Sequence, residues 1–334
     1  MRDVAERAGV SVQTVSNLVN GRHNLMKHET RARVDAAMSD LGYRPNLAAR
    51  TLRSARTQTL CFLVLDEAAR FLADPMTDMV IAGIAHVARD RGYGLLIQAA
   101  RPDEPAPGVL DPLLEGRADG AFLFLSGKPS LRRWYVNRMQ ELGFPFILLE
   151  PSDDPSVTSV VADDREGARR LTEHLICAGH ERIAFVGSAV PWPMIEQRFL
   201  GYHDALDAAG IEARSELESF RGDWTAAAGA THAEALLTAR DAPTAIMCGN
   251  DLLAAGVIRA ARQGGTRVPE DVAVTGFDDF DFAELVDPAL TTVQIPGYEL
   301  GRVAAELLVD TLEGLEPPER QVVLPVELCL RESA

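Results

Sequence analysis

Residues 3–21 read DVAERAGVSVQTVSNLVNG, and this stretch decides the fold of the N-terminal part of the chain. A first helix is predicted over residues 2–8, because Val4, Ala5 and Ala8 recur at helical spacing. Gly9 follows directly and can adopt the left-handed backbone conformation that ends a helix. The stretch therefore opens with one short amphipathic helix and a turn.

Two more helices are predicted beyond that turn. Ser11 can cap a helix over residues 12–20 by accepting the backbone N–H of Gln13 or Thr14. A third helix, over residues 29–41, carries apolar residues at helical spacing and ends at a glycine. Two short helices joined by a glycine-containing turn, with a third behind them, form a helix-turn-helix unit.

The second helix leaves polar side chains for solvent or for a ligand, namely Gln13, Thr14, Ser16 and Asn17. Glutamine and asparagine can form two hydrogen bonds with an adenine edge, whereas threonine and serine suit phosphate oxygens. The charge distribution agrees, since residues 1–57 hold ten Lys/Arg and five Asp/Glu while the remainder holds 23 and 44. Only the N-terminal part is therefore expected to meet a polyanion, despite a net charge of −16. A small polar helical bundle without a ligand fits these residues equally well.

A short basic segment, YRPNLAARTLR, follows at residues 43–53. Pro45 ends the preceding helix, and Asn46 can cap a helical stretch too short to hold alone, since isolated helices need roughly 12–15 residues. Leu52 stands as a bulky apolar side chain among arginines. Such a segment suits folding against DNA with the leucine wedged at a minor-groove step. A linker with incidental arginines is the alternative interpretation.

These two stretches together, DVAERAGVSVQTVSNLVNG and YRPNLAARTLRS, resemble the headpiece and hinge helix of the LacI/GalR family of bacterial transcription repressors. The resemblance implies that Val12, Gln13 and Asn17 read bases and that Leu52 is the intercalating hinge leucine. Many members carry arginine where this chain has Asn17, so its operator is expected to differ there. The remaining DNA-binding positions that it implies are Ser11, Thr14, Ser16, Thr30, Tyr43, Asn46 and Ala49.

From residue 58 onward, short apolar runs alternate with helical patterns. The predicted strands are 60–65, 94–98, 120–125 and 144–149 in a first series, and 159–162, 182–187, 218–221, 245–248 and 272–275 in a second. Alternating βα units give a doubly wound parallel sheet, and two series give two lobes. The fold class is therefore α/β, with a small all-α helix-turn-helix headpiece followed by a two-lobed core like that of periplasmic binding proteins.

The expected division of the chain follows from these patterns. Three crossings between the lobes are expected, near residues 157–162, 289–293 and 321–324. The predicted parts are 1–44 for the headpiece, 45–57 for the hinge helix and linker, 58–160 with 292–321 for the first lobe, and 161–291 with 322–334 for the second lobe.

Ligands in such folds bind at the carboxyl ends of the strands, so polar residues just past each strand are candidates. Carboxylates, an amide and a guanidinium bond hydroxyl groups, and an indole face stacks on a sugar ring. Each residue taken singly is better explained as a loop cap or a surface group, and only their combination favours a ligand site. The candidates are Asp66, Ser126, Glu150, Ser188, Arg198, Trp224, Asn250 and Asp278.

Five further segments are similar to the family's effector-binding core, among them QRFLGYHDAL, CGNDLLAAG and GFDDFDFAELVDPALTTV. This similarity implies effector contacts by Arg198, Asn250 and Asp278, a stacking role for Trp224 and an acidic pocket residue at Glu150. Met76 and Thr77 occupy positions where the family usually has bulky aromatics. The implied effector is a small hydroxylated metabolite, a sugar or a derivative. The implied partners are operator DNA and a second copy of the chain, since dimer symmetry should match a near-palindromic site.

Other classes of protein find less support. No phosphate loop, dinucleotide motif, metal-ligand spacing or catalytic constellation occurs, so neither an enzyme nor a cofactor or metal is expected. A sugar-binding protein and a sugar-metabolising α/β enzyme with an accessory DNA-binding head are the alternatives. The longest apolar runs fall far short of the roughly 20 residues of a membrane span. Since the N-terminus also lacks a signal peptide's apolar core, a cytoplasmic protein is expected.

Two smaller expectations concern cysteines and assembly. Four widely spaced cysteines, Cys61, Cys177, Cys248 and Cys329, are expected to be buried thiols rather than metal or redox groups. No heptad repeat follows Leu330, which favours a dimer over a coiled-coil tetramer.

Overall fold

A computed structural model describes residues 1–19, 25–43, 56–66, 71–101 and 105–334 of the chain. The chain divides into two compact units, Met1–Thr57 and Gln58–Ala334, called here the headpiece and the core. Neither unit contains, in its described part, a helix long and apolar enough to cross a bilayer.

In its described residues, 1–19, 25–43 and 56–57, the headpiece contains three helices, α1 (Arg2–Ala8), α2 (Val12–Val19) and α3 (His28–Asp40). Gly9 ends α1 in the left-handed conformation, with φ of 63°. The N–H of Thr14 donates to Ser11 Oγ at 3.1 Å, so the predicted N-cap of α2 is confirmed. The three helices enclose a small apolar core formed by Val4, Ala5, Ala8, Val15, Leu18, Val34 and Ala37.

The first lobe of the core contains a six-stranded parallel sheet. Its strands are β1 (Thr59–Leu65), β2 (Gly94–Ala100), β3 (Gly120–Leu125), β4 (Phe146–Leu148), β5 (Ser159–Ala162) and β11 (Gln321–Leu324). They lie in the order β11-β5-β4-β3-β1-β2. The inner strand β1 is buried on both faces, which explains its unbroken apolar sequence.

The described part of the first lobe contains the helices α4 (Pro75–Asp90), α5 (Asp111–Leu114), α6 (Pro129–Leu142) and α11 (Gly297–Glu313), with 3₁₀ turns at Phe71–Ala73 and Pro107–Leu110. Helix α11 returns from the second lobe and packs tightly on α4. A Cβ atom on Gly301 would lie 2.0 Å from the carbonyl oxygen of Val80, so the two backbones touch where the helices cross.

The second lobe contains a four-stranded parallel sheet formed by β6 (Ile183–Gly187), β7 (Glu218–Phe220), β8 (Ala245–Cys248) and β9 (Ala273–Thr275). These strands lie in the order β7-β6-β8-β9. Its helices are α7 (Asp164–Cys177), α8 (Pro193–Ala209), α9 (Ala226–Leu237) and α10 (Asp251–Gln263), with 3₁₀ turns at Ser215–Leu217 and Asp281–Glu284.

Three passages of the chain connect the lobes. The first follows β5, the second contains β10 (Thr292–Gln294), and the third lies between β11 and β12 (Glu327–Cys329). Strands β10 and β12 pair antiparallel as a two-stranded sheet. Strands β5 and β11 belong to the first sheet along their whole length, so the divisions proposed at 160/161 and 321/322 fall inside these strands.

The cysteine expectation is wrong for one residue and partly wrong for another. Cys61 and Cys248 are fully buried, and burial raises the pKa of the Cys61 thiol to about 12. Cys177, however, is exposed at the end of α7, and Cys329 is half-buried. Cys177 follows the last apolar position of its helix, so its side chain has no neighbour to cover it.

Candidate functional site

The exposed face of α2 is the first candidate site. Val12 is 44% exposed at the start of the helix. Gln13 Nε2 donates to Asn17 Oδ1 at 3.0 Å, one helical turn away. The two amides are thereby held side by side on the surface, where they present further donors and acceptors to a ligand.

The other predicted DNA-binding positions divide into three groups. Ser11 and Thr14 lie at the N-terminus of α2 with their hydroxyl oxygens 2.9 Å apart, and Thr30 and Tyr43 are half-buried. Ser16 is only 8% exposed, so its expected position on the polar face is wrong; it adjoins Val15 on the side of α2 that faces the apolar core. Outside the described residues lie Asn46, Ala49 and Leu52.

The second candidate site is a cavity between the lobes of the core. The volume open to water in this cavity is about 40 Å³, which is room for roughly three water molecules. Three predicted residues line it, Met76, Glu150 and Arg198. Most of the remaining wall is apolar and comes from both lobes, through Val80, Phe124, Leu149, Val160, Ala162, Met194, Ile295 and Leu300.

Arg198 on α8 is the centre of a buried polar network. Its Nε donates to Asp164 Oδ1 at 2.7 Å, and its Nη1 donates to the carbonyl oxygen of Gly249 at 2.6 Å. Its Nη2 lies 2.8 Å from Asp278 Oδ1. The guanidinium carbon lies 3.9 Å from the centre of the Phe277 ring, so an aromatic face covers the cation as well.

Asp278 is held against Arg198 by an unusual backbone conformation. Its φ is 107°, in the region that favours glycine, and its N–H donates to the carbonyl oxygen of Val293 at 2.8 Å. Burial raises the pKa of Asp278 well above its ordinary value, and the carboxylates of Asp251 and Asp74 act in the same direction against Arg198. Asp278 is 4% exposed and does not line the cavity, so its contact with Arg198 is the one that links it to the cavity wall.

Asn250 and Asp251 support this network from the start of α10. Asn250 caps the helix by accepting the N–H of Leu253 at 2.8 Å. Asp251 accepts the hydroxyl of Thr292 at 2.6 Å and the N–H of Phe280 at 2.8 Å. Burial raises the pKa of Asp251 to about 7 despite those two hydrogen bonds. The predicted contact residue Asn250 therefore has one side-chain oxygen committed to the helix cap.

Glu150 lies on the cavity wall beside a second buried arginine. Its Oε2 is 3.0 Å from Nε of Arg132 on α6, and both side chains are 8% exposed. Burial raises the pKa of Glu150 to about 8, with Arg132 lowering it and Glu196 raising it. The acidic position expected in the pocket is therefore present, in a buried place that disfavours its charged form and beside a guanidinium that favours it.

Several predicted site residues lie away from the cavity wall. Thr77 is buried but donates its hydroxyl to Asp74 Oδ2 at 2.9 Å. Among the residues that the structure describes, the buried hydroxyl of Ser126 and the indole N–H of Trp224 have no hydrogen-bond partner. Asp66 is half-buried directly after β1, and Ser188 donates to the carbonyl oxygen of Gly222 at 2.9 Å as part of a turn.

The sequence reasoning missed four charged members of the two networks, Asp74, Asp164, Arg132 and Glu196. Asp74 and Asp164 stand at helix starts, Asp74 as the N-cap of α4 and Asp164 in the first turn of α7. The signal that identified Asn250, a polar residue before a helix and after a strand, applies to Asp164 as well. Arg132 and Glu196 lie inside helices, where no local pattern distinguishes them from surface charges.

Two family descriptions match the chain in separate parts. Residues 1–46 match the bacterial regulatory proteins of the lacI family, and residues 172–334 match the periplasmic binding protein-like domain. The transcriptional regulator CelR of Thermobifida fusca is 34% identical over 99% of this chain and 96% of its own length.

Two solved structures have the same architecture. The transcriptional regulator CelR–cellobiose complex matches with a TM-score of 0.76 and 32% identity, over 99% of this chain and 98% of the other. The lac repressor dimer bound to operator and the anti-inducer ONPF matches with a TM-score of 0.84 and 27% identity, over 99% and 97%.

These matches define the class as a DNA-binding transcriptional regulator with a periplasmic binding protein-like core. The chain belongs to the LacI family of bacterial transcriptional regulators. The resemblance inferred from the sequence and the expected α/β fold class are therefore confirmed.

Proposed function

We propose that this regulator acts as a homodimeric repressor in the cytoplasm and reads a near-palindromic operator through α2. The observation that carries the proposal is the exposed Gln13–Asn17 amide pair next to the exposed Val12. An amide pair can bond base edges, and an exposed valine can contact a thymine methyl group. The lac repressor, a structural neighbour, was solved as a dimer on operator DNA, which supports the same arrangement for this chain.

The hinge segment completes this proposal. Its sequence places Leu52 among arginines, and we assign it the wedge role at the centre of the operator, where two hinge segments would meet. Leu52→Ala should weaken binding to the operator far more than binding to random DNA. Equal losses on both would exclude the wedge.

Selection of random duplex DNA by the purified protein, at a stated salt concentration, tests operator reading. A palindromic motif whose half-sites repeat at a helical-turn spacing is the expected result. The double variant Gln13→Ala, Asn17→Ala serves as the control, because it keeps the headpiece core intact and removes the proposed reading pair. Enrichment of the same motif by both proteins would contradict the assignment of α2 as the reading helix.

We further infer that the effector is an uncharged, hydroxylated molecule, a sugar or sugar derivative, bound between the lobes. The cavity wall is mainly apolar. Both nearby guanidinium groups are already paired with acidic side chains. Arg198 faces Asp164 and Asp278, and Arg132 faces Glu150 and Glu196. An anionic ligand would find no unpaired cation among these groups. The structure of CelR, a relative, holds cellobiose.

Thermal-shift measurements with cellobiose and cellobiouronate, and with glucose and glucuronate, test the charge preference. Each pair differs mainly in a carboxylate, so a neutral effector class predicts a shift with the sugar and none with the acid. A shift with the acids alone would overturn the inference. Operator release by the active sugar, measured by fluorescence anisotropy, then links the cavity to DNA binding.

A further inference from the structure

Arg132 joins a cavity residue of one lobe to a helix of the other. Its Nη1 and Nη2 donate to the two carboxylate oxygens of Glu196 at 3.1 and 3.0 Å, a bidentate pair. Its Nη1 also donates to the carbonyl oxygen of Gly127 at 2.9 Å, and its Nε faces Glu150. Arg132 and Glu150 belong to the first lobe, whereas Glu196 lies in the first turn of α8 in the second.

Two neighbouring contacts cross between the lobes at the same place. The N–H of Gly127 donates to the carbonyl oxygen of Pro191 at 2.8 Å. The rings of Phe124 and Trp192 lie 4.7 Å apart between centroids. One edge of the cavity is therefore sealed by an ion pair, a backbone hydrogen bond and an aromatic contact.

The cavity is too small for a sugar ring, so a ligand of that size can enter only if the contacts at this edge open. With room for about three waters, the cavity admits a sugar ring only if the lobes separate. If the lobes separate on this side, the bidentate pair must break, because Arg132 belongs to the first lobe and Glu196 to the second. Arg132 keeps Glu150 and the carbonyl oxygen of Gly127 as neighbours when this happens, because both belong to its own lobe.

We propose that the Arg132–Glu196 pair is a clamp that holds the lobes closed and sets how readily the cleft opens to an effector. The guanidinium is buried and prearranged by Gly127 and Glu150, whereas Glu196 is 41% exposed on its side chain. The carboxylate that must leave is therefore the one that water can solvate most easily. The clamp concerns the opening of the core and goes beyond the assignment of the operator or the effector.

Hydrogen–deuterium exchange on the full-length protein without DNA tests the clamp. The amide of Gly127 is the reporter, because its acceptor lies in the opposite lobe. In Glu196→Gln the peptide containing Gly127 should exchange about threefold to tenfold faster, the effect expected when a partly buried bidentate pair is lost. Glu196→Asp, which keeps a carboxylate at shorter reach, should lie between the two.

Asp204→Asn provides the matched control. Asp204 also lies on α8 and also accepts a bidentate pair, from Arg165 at 2.6 and 2.9 Å, but both residues belong to the second lobe. This variant should leave the Gly127 peptide unchanged. Equal acceleration in both variants, or none in Glu196→Gln, would overturn the clamp.

A second background separates the clamp from general loosening. Arg132→Gln combined with Glu150→Gln removes the guanidinium without leaving a buried carboxylate unpaired, and it should accelerate exchange as Glu196→Gln does. Adding Glu196→Gln to that background should produce no further change. If the exchange rates of the Gly127 peptide added up in the combined variant, or if Glu196→Gln accelerated exchange throughout the core, the proposal would be contradicted. Neither result would bear on operator reading.

Discussion

We expect base reading by the exposed face of α2 to depend on single side chains whose positions the helix fixes. Gln13 is oriented on the surface by its hydrogen bond to Asn17. We expect Gln13→Ala to relax the preference at one base pair per half-site, at a cost of about 1–3 kcal/mol there. Asn17→Ala should relax the same base pair less strongly. Selected motifs are the measurement, and an unchanged motif in Gln13→Ala would remove this residue from the reading set.

The core depends on one residue in a different way, because Arg198 neutralises two buried carboxylates. Arg198→Met leaves Asp164 and Asp278 without their cation, and such losses cost about 3–5 kcal/mol. Arg165→Met breaks an exposed pair with Asp204, which should cost about 0–1 kcal/mol. Urea unfolding can be followed by tryptophan fluorescence, since Trp134, Trp192 and Trp224 all lie in the core. Similar losses in both variants would show that Arg198 is not essential to the network.

At the scale of elements, glycines determine how closely the helices pack. A Cβ on Gly201 of α8 would lie 2.1 Å from the carbonyl oxygen of Arg165 on α7. A Cβ on Gly229 of α9 would lie 2.1 Å from the carbonyl oxygen of Leu253 on α10. Together with Gly301 on α11, these positions show that three helix pairs cross with their backbones in contact.

Gly201→Ala should therefore destabilise the core by about 3 kcal/mol, because backbone atoms of α7 cannot move aside as a flexible side chain can. Gly94→Ala is the matched control at the start of β2, where the nearest atoms would lie 3.9 Å away. The control should stay within about 0.5 kcal/mol of the wild type. Urea midpoints of the two variants decide, and equal midpoints would contradict the role of close packing.

Most elements could be predicted from the sequence because their signals are local. The apolar run of β1 and the glycine after α1 each specify an element within about ten residues. The bounds of β4 were harder, since Phe144 and Leu149 continue the apolar pattern beyond the strand Phe146–Leu148. The packing of α11 against α4 depends on residues more than 200 positions apart, and no local pattern carries that information.

The same distinction applies to the candidate site. Arg198, Asp278 and Glu150 follow recognisable motifs or strand ends, and the structure places all three in the two buried networks. Arg132 and Glu196 meet only because two lobes close on each other. Trp224 and Asp66 have plausible residue types at plausible places, yet they lie away from the cavity wall.

At the scale of the whole molecule, charge is divided between the two units. The headpiece region holds the basic excess and the core holds the acidic excess, within a net charge of −16. Electrostatic attraction to DNA is therefore confined to a small part of the chain, while the acidic core disfavours nonspecific binding. The core also contains buried carboxyls with raised pKa values, among them Glu150 and Asp251, so its stability should depend on pH.

Glu150 allows this dependence to be tested one group at a time. Its pKa rises from an ordinary 4.5 to about 8 on folding, because burial disfavours the charged form. Between these values the folded core keeps a proton that the unfolded chain releases, so stability is lost as the pH rises. Glu150→Gln resembles the protonated form and should escape this loss. Its advantage over the wild type should grow by up to about 1.4 kcal/mol per pH unit and level off above pH 8.

Urea unfolding of both proteins at several pH values from 5.5 to 8.5 measures that difference. The comparison cancels the contributions of the other buried carboxyls and of the histidines, because both proteins share them. Glu216→Gln, at an exposed position, is the control and should differ from the wild type by the same amount at every pH. A constant difference for Glu150→Gln would mean that Arg132 keeps Glu150 ionised throughout, and the cavity would then present a carboxylate rather than a proton donor to its effector.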